Sequence, residues 1–251
     1  KTFGEALDAS PYKGDIKNRL NPNDYEDMFE LHIEQGPILD DAGNDIGVVT
    51  CVLGMFNYRI KFYGQSDHAG TTPMHKRQDA LYAAAKALCY LHKEIDKLNR
   101  PELVYTTGEI LCHPNVHTVI PDFVDFSIDV RHEDPEVLKK VLDIVKSLDG
   151  KEIEKCRCEV KEAWTRDTVY YNKKLVNFVK ESADELKLKN QFINSGAGHD
   201  AQFASYMLPT TMIFVPSKDG HSHCEPEFTS VEQSTNGANV MLNAVLKADK
   251  E

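Results

Sequence analysis

The chain has 251 residues, of which 41% are hydrophobic and 27% charged, and its formal net charge at pH 7 is -11. This acidic balance disfavours nucleic acid and anionic membranes as partners, because both attract basic surfaces. No apolar run approaches the roughly 20 residues of a membrane span, and most of the six cysteines lie in apolar segments, as unpaired thiols do in a reducing compartment. We therefore expect a cytoplasmic globular protein with one large or two modest domains.

The N-terminal segment predicts a helix followed by two strands. The helix covers roughly the first 20 residues and ends at the turn signal Asn21-Pro22-Asn23. "YEDMFELHIEQ" then predicts a strand, and "DDAGNDIGVVTCVLG" predicts a turn that leads into a second, apolar strand.

The middle of the chain has a rhythm of its own. "FNYRIKFYG" alternates as a strand does, and "RQDALYAAAKALCYLHKEIDKL" has apolar residues at helical spacing. The strands "ELVYTTGEILC" and "FVDFSIDVR" precede a helix whose start is marked by Asp134 and Pro135, and "EIEKCRCEVKEAW" follows as a strand. This β-α-β-β-α-β order predicts a ferredoxin-like module.

The C-terminal part returns to strands that alternate with helices. "LPTTMIFVPS" predicts a strand buried on both faces, and amphipathic helices lie before and after it. Such alternation indicates an α/β layer. We therefore predict an α/β fold in which residues 1–53 and 165–251 form one domain, interrupted by the ferredoxin-like domain at residues 54–164.

Several histidines lie in predicted loops or at the ends of elements, where ligands bind on α/β scaffolds. Each has a purely structural explanation: a strand histidine is commonly a hydrogen-bonded core residue, and a loop histidine commonly caps a turn or precedes a helix. An H-x-H pair points more strongly to a metal. These residues are His32, His68, His199, His221 and His223.

A histidine that binds metal also needs an acceptor for its other ring nitrogen. Acidic residues follow three of the histidines closely in sequence, although an acid at the start of a helix, such as Asp200, also serves as an N-cap. The candidate acceptors are Glu34, Asp200 and Glu227, which follow His32, His199 and His223.

Arg131 ends the strand "FSIDVR", where its guanidinium is placed to bind a carboxylate in bidentate fashion. Its immediate neighbours favour a simpler explanation, a surface ion pair with Glu133 or Asp134.

Five sequence motifs occur along the chain in a characteristic order and spacing. They are "ELHIEQGPILDD", "GQSDHAGTTPMHKRQDAL", "PNVHTVIPDFVDFSIDVRHED", "SGAGHDAQ" and "HSHCEPEFTS". Together they resemble the hydantoinase/carbamoylase type of zinc-dependent amidase. That group includes N-carbamoyl-L-amino acid hydrolases, allantoate amidohydrolases and β-ureidopropionases of the metallo-aminoacylase superfamily. The resemblance spans the chain from Phe3 to the last helix.

The resemblance implies a catalytic α/β domain with an inserted lid that also forms a homodimer. It implies two divalent ions, zinc or else manganese, cobalt or nickel, with His32 a ligand of one and His223 a ligand of the other. A carboxylate would accept a proton from metal-bound water, whose hydroxide attacks the carbonyl of a small N-carbamoyl or ureido acid. The residues implied to contact substrate are Gln35, His68, Thr118, Arg131 and His199, with His68 and Arg131 reaching the partner subunit's active site.

Two departures from the family pattern change what we expect of this chain. Only 31 residues precede His32, and they contain neither the His-x-Asp motif nor the Glu-Glu pair that the family carries there. The bridging Asp and the general-base Glu are therefore missing. In addition, Thr118 occupies the position at which the family usually has Asn. A hydroxyl offers fewer hydrogen bonds than an amide. The adjacent His117 is an alternative residue for this substrate contact.

We therefore interpret the chain as the C-terminal portion of a binuclear-metal amidohydrolase, shortened or cleaved, which is inactive alone and holds its metal weakly. An allantoate amidohydrolase or an aminoacylase-like peptidase is the alternative within the same class. A non-catalytic dimerisation module built on the ferredoxin-like unit is the alternative from another class.

Overall fold

The computed structural model describes residues 1–15, 17 and 20–250 and has a mixed α/β fold, which confirms the predicted class. Its α-helices are α1 (Phe3–Asp8), α2 (Ile38–Ala42), α3 (Ala80–Asp96), α4 (Pro135–Lys146), α5 (Lys173–Glu185), α6 (Asp200–Ala204) and α7 (Val231–Ala248). Its strands are β1 (Met28–Ile33), β2 (Ile46–Val52), β3 (Gly54–Tyr63), β4 (Val104–Thr106), β5 (Ile110–His113), β6 (Phe123–His132), β7 (Glu152–Ile153), β8 (Cys156–Arg166), β9 (Val169–Tyr170), β10 (Asn190–Ser195) and β11 (Thr210–Val215).

The chain divides into two compact units. Unit 1 consists of Lys1–Val49, Tyr171–Phe192 and His199–Glu251, and unit 2 consists of Thr50–Tyr170 and Ile193–Gly198. None of the helices in the described part of the chain is long and apolar enough to cross a bilayer.

A mixed sheet with the order β1-β11-β2-β10 organises unit 1. The strand β11 is buried at all six positions, as its apolar sequence predicts, and it pairs in parallel with β1 and antiparallel with β2. The parallel register sets His32 opposite Phe214. Glu30 and His32 are two residues apart, so their side chains leave the same face of β1.

The helix α7 lies very close to this sheet at Gly237. A Cβ atom at that position would be 2.6 Å from Val215 Cγ1 and 2.7 Å from Leu31 Cδ1. The glycine therefore permits an approach that any side chain would prevent.

Unit 2 is built on an antiparallel sheet with the order β4-β6-β3-β8-β7, in which β5 also pairs with β6. The helices α3 and α4 pack against β3 and β6 and close an apolar core. The predicted cap of α4 is confirmed, since Asp134 Oδ1 accepts a hydrogen bond from Glu136 N at 2.9 Å and Pro135 occupies the first turn.

Three predicted elements differ from the structure. The helix expected over the first 20 residues ends at Asp8, because Pro11 and Gly14 disfavour its continuation; residues 16, 18 and 19 of that prediction lie outside the described residues. "ELVYTTGEILC" is split into β4 and β5 around Gly108. "EIEKCRCEVKEAW" turns back on itself at Glu154 and Lys155, whose φ values of 50° and 64° suit a tight hairpin.

Candidate active site

Three side chains in unit 1 offer metal ligands to a common point. The ligand atoms of Glu30, His32 and His199 all lie within 4.8 Å of one another. Two imidazole nitrogens and one carboxylate oxygen form the donor set of many hydrolytic zinc sites. This part of the chain therefore fits a divalent cation.

The ring of His32 is oriented by its own backbone. His32 Nδ1 donates to the carbonyl oxygen of Ile33 at 2.8 Å, which leaves Nε2 as the nitrogen with a free lone pair. Ligand histidines are commonly held in this way. The ring of Phe214 lies beside both histidines, with centroids 6.5 Å from His32 and 5.5 Å from His199.

His199 is the most enclosed member of the cluster. It precedes α6 as the N-cap residue, so Asp200 occupies the first helical position instead of the N-cap position expected for it. Burial, and then the proximity of His32, lower the pKa of His199 to about 4. The imidazole is therefore neutral at pH 7, the state in which histidine binds metal.

Glu30 was not among the site residues predicted from the sequence. Its Oε2 accepts a hydrogen bond from the backbone N of Ala201 at 2.5 Å, which ties β1 to the start of α6. The period of two residues along a strand places Glu30 beside His32, and this signal could have identified it.

A second group of contacts forms around Gln35. Gln35 N donates to Ser217 Oγ at 3.0 Å, and Gln35 Nε2 lies 3.2 Å from Ser222 Oγ and 3.1 Å from His223 Nε2. Both Gln35 and His223 have a positive φ, 61° and 56°, a left-handed conformation that non-glycine residues adopt rarely. The predicted residues Gln35 and His223 are thus brought together.

Glu227 has the role of a local acceptor for the His223 loop. Its Oε2 accepts from the backbone N of His223 at 2.8 Å. This hydrogen bond, and another from the Ser222 side chain, lower the pKa of Glu227. The carboxylate thus holds the backbone of the loop that presents the imidazole.

The carboxylate of Glu34 caps the helix α2 and is not directed to the histidines. Its two carboxylate oxygens accept from Ile38 N and Leu39 N, each at 2.8 Å, and so cap α2. The side chain is buried, and desolvation raises its pKa against the opposing effect of the two N–H groups.

In unit 2, His68 is held in a tight turn. His68 Nδ1 accepts from Gly70 N at 3.0 Å and from Thr71 N at 3.2 Å, so Nε2 carries the proton and is available as a donor. The carbonyl oxygen of Thr118 accepts from Ala69 N at 2.9 Å, which places Thr118 beside the same turn. A Cβ at position 70 would be 3.2 Å from the imidazole, so glycine suits this contact.

Arg131, also in unit 2, has one side-chain partner and one backbone partner. Arg131 Nε donates to Asp129 Oδ1 at 2.7 Å and Nη1 donates to the Gly196 carbonyl at 2.8 Å. The acidic partner is therefore Asp129. Glu133 instead accepts a hydrogen bond from Asn194 Nδ2, and Asp134 caps α4.

The family model of peptidase family M20/M25/M40 matches residues 14–247. The chain belongs to this family. It is similar to the allantoate amidohydrolase of Bacillus subtilis (strain 168), with 37% identity over 251 residues, 98% of this chain and 58% of the relative. It is also similar to the N-carbamoyl-L-amino-acid amidohydrolase of Paenarthrobacter aurescens, with 35% identity over 229 residues, 90% of this chain and 55% of the relative.

Among solved structures, the M20 chain is similar to an amidase of the hydantoinase/carbamoylase family from Burkholderia multivorans. The TM-score is 0.81 at 37% identity, over 98% of this chain and 60% of that one. These findings confirm the family resemblance found in the sequence. The chain spans 55% and 58% of the length of the two curated relatives.

Proposed function

We propose that this chain is part of a binuclear-metal amidohydrolase that cleaves the linear C–N bond of an N-carbamoyl amino acid or a related ureido acid. The observation that carries the proposal is the convergence of Glu30, His32 and His199 within 4.8 Å in a chain of the M20 family. The names of the two curated relatives supply the substrate class.

In this proposal His32 binds one ion and His223 binds the other. When bound, the two ions supply an acidified water and a polarised carbonyl. The hydrogen bond from His32 Nδ1 to Ile33 O fixes the ring for this role, and the contact with Glu227 fixes the loop of His223. Gln35 Nε2, 3.1 Å from His223, is placed to donate to a substrate oxygen bound beside that imidazole.

The substrate contacts in unit 2 use two kinds of donor. His68 donates from Nε2 to the carbonyl oxygen, where negative charge develops during hydroxide attack. In this proposal the Arg131 guanidinium pairs with the substrate's carboxylate, and the Thr118 hydroxyl is a further donor. We assign residues 54–164 to the inserted lid, whose dimer brings these side chains to a partner subunit, and residues 1–53 and 165–251 to the catalytic domain.

The sequence contains no Glu-Glu pair, and no His-x-Asp motif precedes His32. We therefore infer that the 251-residue chain alone does not hydrolyse these substrates. Zinc-, manganese-, cobalt- and nickel-supplemented assays with N-carbamoyl amino acids and with allantoate check this, and turnover by the chain alone would refute it. The coding sequence directly upstream of Lys1 tests whether this chain is part of a longer amidohydrolase. That sequence should encode both motifs. An in-frame stop codon upstream of Lys1, with neither motif encoded after it, would contradict the proposal.

A further inference from the structure

We propose that Arg77 is a positioning residue for His68, whose ring it fixes in the tautomer that donates from Nε2. The effect passes through one peptide unit of the turn at residues 68–72. Its consequence for substrate binding rests on the proposed function, in which His68 donates to the carbonyl oxygen. The effect on the ring itself does not depend on any reaction.

The guanidinium of Arg77 binds this turn through two backbone carbonyl groups. Arg77 Nη2 donates to the carbonyl oxygen of Ala69 at 2.6 Å, and Nε donates to that of Thr72 at 3.0 Å. The two nitrogens lie on one edge of a planar group, so they fix the two oxygens relative to each other. Hydrogen bonds from a charged donor are also stronger than those between neutral groups. The guanidinium therefore stabilises one shape of the turn.

The peptide unit between Ala69 and Gly70 connects Arg77 to the imidazole. Its carbonyl oxygen accepts from Arg77, and its N–H donates to His68 Nδ1 at 3.0 Å. A trans peptide is planar, and its C=O and N–H groups are directed to opposite sides. Hydrogen bonds in such a chain polarise one another. The contact with Arg77 therefore strengthens the N–H of Gly70 as a donor to the ring.

The ring of His68 depends on these backbone donors for its tautomer. The side chain is exposed, and a neutral imidazole can carry its proton on either nitrogen. The N–H groups of Gly70 and Thr71, 3.0 and 3.2 Å from Nδ1, occupy the lone pair there and leave the proton on Nε2. The tautomer therefore persists only while the two amides keep their positions, and Arg77 holds the turn that contains them.

Arg77 is itself well anchored. Its backbone N donates to the carbonyl oxygen of Met74 at 3.2 Å, and the carbonyl oxygen of the next residue, Gln78, accepts from Gln65 N at 2.9 Å. The side chain is half-buried, and its hydrogen bonds within the described part of the chain go to backbone carbonyls. The turn that holds His68 is therefore the partner of this buried charge.

The tautomer matters for the proposed reaction. A hydrogen-bond donor stabilises the charge that develops on a carbonyl oxygen only if its proton already points to that oxygen. In the other tautomer, Nε2 of His68 would present a lone pair to the oxygen and repel it. Arg77 would thus affect the reaction without contacting the substrate.

The test compares the ring signals of His68 in the isotope-labelled 251-residue chain and in Arg77 variants by NMR. Long-range correlation of ring protons and nitrogens distinguishes the two tautomers, and His68→Asn assigns the signals. We expect a single pattern with the proton on Nε2 in the unchanged chain. Arg77→Met removes both carbonyl contacts and should move the two nitrogen shifts towards each other. It should also speed hydrogen exchange of the Gly70 amide about tenfold, because the turn opens more often.

Two further variants separate the carbonyl contacts from charge and from general effects. Arg77→Lys keeps the charge but replaces the two-nitrogen edge with a single nitrogen, so its shifts and exchange should be intermediate. Lys76→Met makes the matched substitution at the exposed neighbouring residue and should change neither readout. Far-UV circular dichroism and thermal melting establish that each variant folds. If Arg77→Met does not fold, Arg77→Lys decides the test, and shifts and exchange equal to those of the unchanged chain would overturn the proposal.

Other outcomes would also overturn it. Unchanged His68 shifts in folded Arg77→Met, even with a lower melting temperature, would show that Arg77 only stabilises the fold. Mixed tautomers in the unchanged chain, or an equal effect of Lys76→Met, would contradict the proposal as well. These measurements use neither substrate nor metal. Turnover by the chain alone, or an upstream sequence without the two motifs, would therefore refute the proposed function without changing this result.

Discussion

At the scale of single residues, two glutamates four positions apart have unlike roles. Glu30 directs its carboxylate to the donor cluster and the start of α6, whereas Glu34 uses both oxygens on the backbone of α2. The alternation of side chains along β1 explains why Glu30 joins His32, and the end of that strand explains why Glu34 does not. Glu30 and Glu34 are equally far from His32 in sequence, so distance along the chain does not distinguish them.

Glu34→Ala should destabilise the protein by about 1–3 kcal/mol, because two N–H groups at the start of α2 lose their acceptors in a buried setting. Glu34→Gln retains one acceptor and should lose less. Urea denaturation of the two variants and the unchanged chain measures both effects. Equal stability of Glu34→Ala and the parent would contradict the capping role.

Glu159 should make stability depend on pH. Lys161, and then the Tyr63 hydroxyl, lower the pKa of Glu159 to about 2 from 4.5. A carboxyl with a lowered folded-state pKa stabilises the fold above its unfolded value, and this contribution disappears as the pH falls from about 4.5 toward 2. The stability gap between the parent and Glu159→Gln should therefore narrow over that range in denaturation at several pH values. A gap that stays constant would exclude this linkage.

At the scale of elements, periodicity predicted most of unit 2. Alternation along β3 and β6 and helical spacing in α3 and α4 were sufficient to predict the order of these elements, since each contributes apolar side chains to the core of unit 2. The pattern did not reveal the breaks at Gly108 and Glu154, because apolar residues lie on both sides of each break. The short length of α1 was missed for a related reason. The composition typical of a helix continues beyond Asp8, but Pro11 disfavours continuation of the helix.

Gly237→Ala should destabilise unit 1 despite the higher helix propensity of alanine. The propensity gain is about 1 kcal/mol, but the new Cβ would lie 2.6 Å from Val215 Cγ1 and 2.7 Å from Leu31 Cδ1. Overpacking of this kind costs about 1–3 kcal/mol. Asn239→Ala, on the exposed side of α7, is the matched control and should stabilise slightly. Thermal melting compares them, and a more stable Gly237→Ala would show that the helix can move away at little cost.

At the scale of the whole molecule, the strands β4 and β5 form one edge of the sheet in unit 2. Ile110 and Leu111 on β5 are 54% and 52% exposed. An apolar edge strand readily pairs with another chain, and symmetric pairing of two copies extends both sheets. We therefore predict that residues 54–164 form a homodimer by pairing of this edge in two copies of the chain.

Ile110→Lys should shift the protein from dimer to monomer, because a lysine on an edge strand opposes strand pairing. Tyr90→Lys, on the exposed surface of α3, is the control and should leave the mass unchanged. Size-exclusion chromatography with light scattering gives the mass of each form. If the chain without substitutions is monomeric at all concentrations, the predicted dimer is ruled out.

The hydrogen bond between Glu30 and Ala201 joins residues 171 positions apart. At a synthesis rate of roughly 5–20 residues per second, Glu30 waits about 10–35 seconds for its partner to be made. During that interval β1 has also not met β11, so the strand that carries His32 lacks its neighbour. The cluster of Glu30, His32 and His199 therefore cannot form until Ala201 has been synthesised, and an ion bound there would be acquired only after that point.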